Sequence, residues 1–251
     1  MWPARFIAAR ATRMPVIGWL IKRFFFDGDY IAYLPARQKE IAKAKVVLPD
    51  MVVNHFIERA GFRFLMHQCI CRESNKCKNY PASVGCLFLG EAAKGINSAL
   101  GREVSVAEAK AFQKKVQELG LLNLVGRNRL DKIWLGVSPA DHLMTICHCC
   151  ECCCLWKIIP HLSASIGNML QKLDGVDLNV SDSCRGCGKC VPVCFARAIE
   201  VVNSRAVIGT ECRGCGRCTD ACPEKAITLT LADNDFINRC IARFNGYVTI
   251  D

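Results

Sequence analysis

The chain has 251 residues, 51% of them hydrophobic, and a formal net charge of +10. This hydrophobic content argues against intrinsic disorder, and the length allows more than one core. Its 19 cysteines would indicate a disulfide scaffold in a small secreted protein, but the chain is too long for that class, so we expect metal ligands in a reducing, oxygen-poor cytoplasm.

The N-terminal segment, residues 1–48, is predicted to be a basic docking segment. Residues 1–45 contain nine basic and three acidic residues, so most of the positive charge lies here. The apolar stretch 16–21 is too short for a signal peptide or a membrane span. We expect an amphipathic helix from near Pro15, with one apolar row at Val16, Leu20 and Phe24 and a second row beside it. Residues 2–26 would dock on a partner subunit or on the protein's own core, or lie peripherally on the inner face of the cell membrane.

The middle region, residues 49–178, is predicted to be an α+β domain. Asp50–Ala60 has helical periodicity, Phe62–Ile70 alternates as a strand does, and Ser105 begins a capping box for a helix ending near Leu119. Two apolar stretches, 121–125 and 130–137, predict a β-hairpin. A helix followed by such a hairpin is typical of winged-helix modules. The mild local charge and the lack of a base-reading helix nevertheless disfavour nucleic acid as a partner.

Two cysteine groups lie in this middle region. The first group is Cys69, Cys71, Cys77 and Cys86, and the second is Cys147, Cys149, Cys150, Cys152, Cys153 and Cys154. The first group alone could form an all-thiolate zinc site, and one or two cysteines could be small buried hydrophobes. The density of thiolates favours at least one further iron–sulfur centre.

The second group is too closely spaced for all six thiols to face one metal in a regular strand, because adjacent side chains diverge. We therefore expect the run to reach two sites, each completed by cysteines of the first group. The ten cysteines could hold two [4Fe–4S] clusters with two thiols left over, or one larger or non-cubane cluster. His67 and His148 flank the groups as alternative ligands or as hydrogen-bonding residues.

Two tandem cysteine runs follow, each with the spacing C-x2-C-x2-C-x3-C that is typical of [4Fe–4S] ligands. The fourth cysteine of each run is expected to ligate the other cluster. The predicted sets are Cys184, Cys187, Cys190 and Cys222 for one cluster, and Cys212, Cys215, Cys218 and Cys194 for the other. Each run precedes a similar segment, for which we expect a short helix and a strand. Phe195 stands where the first run would usually have proline.

This segment resembles the bacterial two-cluster ferredoxins. The Cys-x-Cys-Arg motif, the capped helix and the Cys147–Cys154 run extend the resemblance to a group of poorly characterised, cysteine-rich 4Fe–4S ferredoxin-domain proteins of anaerobic bacteria and archaea, for which no activity carries over. The resemblance implies an α+β fold, in which a helical, cysteine-rich domain precedes a ferredoxin-like 2[4Fe–4S] domain (179–232) with a pseudo-twofold β–α duplication. Residues 233–251 would form a C-terminal helix and tail, with Cys240 in its core.

The function expected from these features is electron transfer within an anaerobic redox complex, with other redox proteins as partners. One alternative is an oxidoreductase whose cysteine-rich domain acts on a thiol, a disulfide or a small substrate. The other is a zinc-stabilised redox sensor. The sequence contains no Gly-x-Gly-x-x-Gly or P-loop motif that would indicate a nucleotide site.

Overall fold

The computed structural model describes residues 3–35, 39–41, 44–46, 48–233 and 235–251. Within these ranges the chain forms a mixed α/β fold. Its α-helices are α1 (Pro3–Ala11), α2 (Pro15–Phe25), α3 (Leu48–Arg59), α4 (Ile70–Ser74), α5 (Val106–Glu118), α6 (Arg129–Leu135), α7 (Ala164–Gly167), α8 (Arg217–Ala221) and α9 (Phe236–Asn245).

In the described residues, the strands form one large sheet and three two-stranded sheets. They are β1 (Tyr30–Tyr33), β2 (Lys39–Ile41), β3 (Ala44–Val46), β4 (Arg63–Met66), β5 (Leu87–Leu89), β6 (Gly101–Glu103), β7 (Leu122–Arg127), β8 (Met144–Cys149), β9 (Leu170–Gln171), β10 (Val176–Val180), β11 (Ile199–Val202), β12 (Arg205–Ile208) and β13 (Ile227–Leu231). The large sheet has the order β6-β4-β5-β8-β7-β1-β9, and its neighbours are antiparallel except for β1 and β9.

The main core joins the large sheet to helices α3, α5 and α9. The predicted helix over 50–60 is confirmed as α3, and its apolar face is buried against the sheet. Phe56 packs edge-to-face on Phe244 of α9, with ring centroids 5.9 Å apart. Val176 of β10 and Leu229 of β13 belong to the same core. Residues before and after the tandem cysteine runs therefore complete one hydrophobic interior.

The capping box is confirmed at the start of α5. The Glu108 amide donates to the Ser105 hydroxyl at 3.2 Å, and the Glu108 carboxylate accepts from the Ser105 amide at 2.9 Å.

The predicted hairpin over 121–137 is wrong in its second half. Residues 122–127 form β7, but α6 follows in place of a return strand. The Asn128 side chain caps the helix by accepting from the Leu130 amide at 3.2 Å, and Gly136 ends it in the left-handed conformation. These two caps favour a helix over the strand that the alternating pattern predicted. Because the winged-helix layout depends on the hairpin, that prediction is wrong as well.

The N-terminal segment forms two helices instead of one. The predicted helix from Pro15 is confirmed as α2, and α1 precedes it. Helix α1 packs on the protein's own core: Ala9 is buried, and Phe6 lies edge-on to His161 with centroids 5.2 Å apart. Gly18 allows α2 to lie close to the backbone that follows α1, since a Cβ at Gly18 would lie 2.0 Å from the Thr12 carbonyl oxygen.

The outer face of α2 remains exposed. Val16, Trp19 and Phe24 are 71%, 63% and 60% exposed. None of the helices in the described ranges is both long and apolar enough to span a membrane. Trp2 lies outside the described residues.

Residues 176–231 contain two short antiparallel sheets, β10 with β13 and β11 with β12. Asn203 and Ser204 join β11 to β12 and both have positive φ, as the turns of two-residue hairpins require. The short helices predicted after Cys194 and Cys222 are absent: in both places the chain makes a turn before its strand, and helix α8 precedes Cys222.

Candidate metal centres

The structure groups one predicted set of ferredoxin cysteines around a small cavity. The cavity has a volume of about 10 Å³ and is lined by Cys184, Cys187, Cys190 and Cys222. Backbone amides point at two of these sulfurs, from Ala206 to Cys184 and from Ala226 to Cys222, both at 3.3 Å. Such N–H···S bonds stabilise thiolates and reduced clusters, so this donor set fits a [4Fe–4S] cluster.

The cysteines of the other set also lie close together. Burial raises the pKa of Cys218, and the nearby sulfurs of Cys215, Cys212 and Cys194 raise it further. The Ala198 amide donates to Cys194 at 3.3 Å, and the Gly214 amide donates to Cys212 at 3.4 Å. Each set therefore contains three cysteines of one run and the last cysteine of the other.

A glycine permits the tight winding of the first loop. Gly186 has φ +64°, and a Cβ there would lie 2.6 Å from the backbone of Ser204. A side chain at this position would displace the β11–β12 turn that covers the loop.

The ten cysteines of the middle region separate into two groups. We call the first the six-thiol group. It lines a cavity of about 50 Å³ at the end of β8, together with Trp134 and Trp156. The Cys86 and Cys147 sulfurs are 3.5 Å apart. The members of this group are Cys69, Cys71, Cys86, Cys147, Cys149 and Cys154; Cys150 also lines the cavity, but its sulfur lies among those of Cys77, Cys152 and Cys153.

Two sulfurs of the six-thiol group are poised to be thiolates. Hydrogen bonds from the thiols of Cys147 and Cys154 hold the pKa of Cys149 well below its ordinary value. A hydrogen bond from Cys71 likewise lowers the pKa of Cys69 to about 7. Thiolates are the form that binds metal. Neighbouring sulfurs and burial raise the pKa of the other four thiols, so a metal bound by the whole group would displace their protons.

The remaining four cysteines form what we call the four-thiol group: Cys77, Cys150, Cys152 and Cys153. Their sulfur atoms all lie within 4.8 Å of one another, and those of Cys77 and Cys152 are 3.4 Å apart. The run folds irregularly, since β8 ends at Cys149 and a turn follows. Cysteines that would diverge in a strand therefore meet in this turn.

Arg72 lies between the two thiol groups and is 1% exposed. Its guanidinium donates to backbone carbonyls of Pro81 at 3.0 Å, of His148 at 2.7 Å and of Val84. Burial lowers its pKa, but the charges of Cys69 and Cys150 outweigh this effect and raise it. A buried cation requires a nearby anion, and the thiolates supply it here.

Two aromatic rings connect the six-thiol group to the second ferredoxin set. Phe195, which replaces the usual proline beside Cys194, packs on Tyr33 with ring centroids 4.7 Å apart. The Tyr33 hydroxyl lies 3.4 Å from the Cys154 sulfur. Burial raises the pKa of Tyr33 well above its usual range, so the hydroxyl keeps its proton and can donate to sulfur.

A partly buried ion pair reinforces this junction. Arg217, the first residue of α8 within the second ferredoxin run, pairs with Glu151 and donates to the Cys149 carbonyl at 3.1 Å. Tyr80 donates to the same Glu151 carboxylate at 3.1 Å. The cysteine-rich region and the ferredoxin loop are therefore held together by specific polar contacts, as well as by the two rings.

The structure gives the flanking polar residues different roles. His148 is buried, its Nδ1 lies 2.7 Å from the Gly85 carbonyl oxygen, and burial lowers its pKa to about 4. His67 is exposed. Asp131 lines the six-thiol cavity, and burial raises its pKa to about 6. The sequence analysis did not predict Asp131 or Tyr33 as site residues, because neither lies in a motif that connects it with the cysteines.

A family model described as a 4Fe-4S dicluster domain matches residues 183–227. The comparison with curated proteins gave no match. The matched segment is thus a 4Fe–4S ferredoxin-type module. Together with the other cysteines, it suggests an iron–sulfur electron-transfer protein.

Proposed function

We propose that this protein is an electron carrier that relays single electrons between the ferredoxin-type module and a further iron–sulfur centre in the six-thiol group. In this proposal one [4Fe–4S] cluster is bound by Cys184, Cys187, Cys190 and Cys222, and the other by Cys212, Cys215, Cys218 and Cys194. Such clusters supply reversible one-electron chemistry. The rest of the chain positions the thiolates, excludes water and sets the distances between centres.

The contact between Phe195 and Tyr33 is the observation that carries this proposal. Phe195 follows a ligand of the second ferredoxin set, and Tyr33 touches a sulfur of the six-thiol group. The two sites therefore adjoin through buried rings instead of water. A proline at position 195 would lack the ring that packs on Tyr33.

Matching features of the two runs support a pseudo-twofold duplication in residues 179–232. The amides of Ala198 and Ala226 each donate to the cysteine four residues earlier at 3.3 Å. Arg197 and Lys225, three residues after those cysteines, both have positive φ. Residues 49–178 then form the cysteine-rich domain that holds the further centre, together with β1, which pairs with β7 and β9 in its large sheet.

The carrier would serve a redox complex in the cytoplasm, docked at the inner face of the cell membrane through α2. The exposed apolar face of α2 lies beside the basic side chains of Lys22 and Arg23. A helix with this combination binds the boundary of an anionic lipid surface. Helix α1, packed on the protein's own core, fixes how α2 is presented.

Iron and acid-labile sulfide assays on the anaerobically purified full chain test the relay. We expect about 12 irons per chain if the six-thiol group adds one four-iron cluster to the two of the ferredoxin module. Replacing Cys149→Ser should lower the iron content to about eight, since the ferredoxin ligands remain. The matched control Cys240→Ser, a buried thiol on α9, should retain the full content. A wild-type value near eight would refute the further centre.

A second candidate is an iron–sulfur oxidoreductase acting at the same cavity on a thiol, a disulfide or a small substrate. The position of Asp131 on the cavity wall favours it, because a carboxyl with a pKa of about 6 can exchange protons near neutral pH. Electron paramagnetic resonance titration separates the two. A carrier gives cluster signals that do not respond to an added thiol or disulfide, whereas an enzyme gives a signal that changes.

A further inference from the structure

The four-thiol group is packed more tightly than a four-iron cluster allows. A single zinc ion with Zn–S bonds of about 2.3 Å places its four sulfurs about 3.8 Å apart. A cubane carries its thiolates on the outside of a four-iron core and spaces them farther apart. Cys77, Cys150, Cys152 and Cys153 lie within 4.8 Å of one another, whereas the ferredoxin cysteines of the described residues form no group this close.

Two segments of the chain build this group. Cys77 comes from the loop after α4, where Lys76 has φ 47°. The other three cysteines come from the turn after β8, where the Cys153 amide donates to the Cys150 sulfur at 3.4 Å. A short loop with amide-to-sulfur bonds is how a chain aims several thiolates at one ion.

The surroundings suit a closed and anionic site. Cys150 and Cys153 are buried beside Val84, Val116 and Leu121. Four thiolates and one divalent cation leave a net charge of about −2. The guanidinium of Arg72 interacts with Cys150 from one side and balances part of this charge.

We propose that Cys77, Cys150, Cys152 and Cys153 bind one zinc ion in a structural site separate from the iron–sulfur centres. The protein fills all four positions, so the ion takes no substrate, and zinc itself has no redox chemistry. It fastens the loop after α4 to the turn after β8. That link holds Cys69 and Cys71 against Cys147 and Cys149, so the zinc site supports the geometry of the six-thiol group.

The first test uses the wild-type full chain, purified without added metal. We expect about one zinc ion per chain, and X-ray absorption at the zinc edge should show four sulfur ligands at about 2.3 Å. Absence of zinc, zinc with nitrogen or oxygen ligands, or iron bound at these thiolates would overturn the proposal. Because the wild-type protein is measured, the result does not depend on the folding of a variant.

The second test assigns the ligands. Cys77→Ser and Cys152→Ser should each weaken zinc binding by more than about tenfold, since loss of even an outer-shell partner costs that much. The electron paramagnetic resonance signals of the ferredoxin clusters should persist. Cys240→Ser serves again as the control and should keep its zinc. If zinc stays while iron is lost in the Cys77 and Cys152 variants, the group ligates iron and the proposal fails. If the wild-type chain contains zinc but only about eight irons, the zinc site is supported and only the proposed electron relay to the six-thiol group is refuted.

Discussion

Arg72 places a permanent positive charge where water does not reach, between the six-thiol and four-thiol groups. Its hydrogen bonds all go to backbone carbonyls or to sulfur. A cation in this position is stabilised only while the neighbouring cysteines are thiolates. If these cysteines bind metal as proposed, the arginine couples the folded state to their metal-bound state, because metal binding would keep them deprotonated.

Replacing Arg72→Leu should destabilise the protein by about 3 kcal/mol or more, since it leaves buried carbonyls and thiolates without their partner. For a chain of this size, that loss corresponds to a fall of roughly 6–12 °C in the midpoint of thermal unfolding. Metal analysis should show reduced zinc and iron. The control Arg59→Leu removes a mostly exposed arginine and should leave both unchanged. Equal midpoints for the two variants would show that Arg72 is not the counterion inferred here.

Tyr33 acts on the six-thiol group through one hydroxyl. A hydrogen bond to a cluster sulfur stabilises the reduced, more negative state. Tyr33→Phe should therefore lower the reduction potential of that centre by about 40 mV. This shift is the free energy of one hydrogen bond, about 1 kcal/mol, converted to a potential for a one-electron couple. The check is a potentiometric titration followed by electron paramagnetic resonance. Tyr247→Phe, on a residue that stacks on Tyr30, should leave the potential unchanged. A shift in both variants, or in neither, would contradict the role given to Tyr33.

At the level of elements, helix α2 turns large apolar side chains away from the protein. Its neighbour α1 instead packs on the core, as the burial of Ala9 and the contact of Phe6 with His161 show. Helical periodicity predicted α2, but it could not predict what the apolar face of the helix would pack against. That depends on α1 and Gly18, which orient the helix pair on the core.

The double replacement Trp19→Ser and Phe24→Ser should abolish binding to vesicles containing anionic lipid, because it removes the largest exposed apolar side chains of α2. Cosedimentation with vesicles of phosphatidylglycerol and phosphatidylcholine measures the effect. Leu100→Ser changes an exposed leucine outside α2 and should not affect binding. If the wild-type chain itself fails to bind at low salt, α2 serves a protein partner instead.

The elements that could be predicted from the sequence are those that depend on patterns of residues close together in the chain. The apolar face of α3 and the capping box of α5 each depend on residues within a few positions of one another, and both are confirmed. The helices expected after Cys194 and Cys222 are replaced by turns, because the chain must bring the following amide back to the cysteine sulfur. In the same way, the Asn128 cap turns an apparent second strand into α6.

At the scale of the whole molecule, the unpredictable part is which distant cysteines meet. The pairing of Cys77 with Cys152 joins residues 75 positions apart, and that of Cys86 with Cys147 joins residues 61 apart. No periodicity encodes such contacts, since they follow from the order of strands in the large sheet. Strand β8 lies between β5 and β7, which brings the end of the cysteine run beside the loops that precede β5.

The packing of α9 also has a consequence for how the protein is made. Phe244 packs on Phe56, and the Gly61 amide donates to the Ile250 carbonyl at 2.9 Å. The main core, which includes residues of β1, α3 and α9, is therefore completed only after residues 236–250 have been synthesised. All eighteen cysteines of the tandem runs and thiol groups are translated earlier, while this interior is still open. Most of these cysteines lie in other clusters of the interior, so metal binding by them would not have to wait until α9 completes the main core.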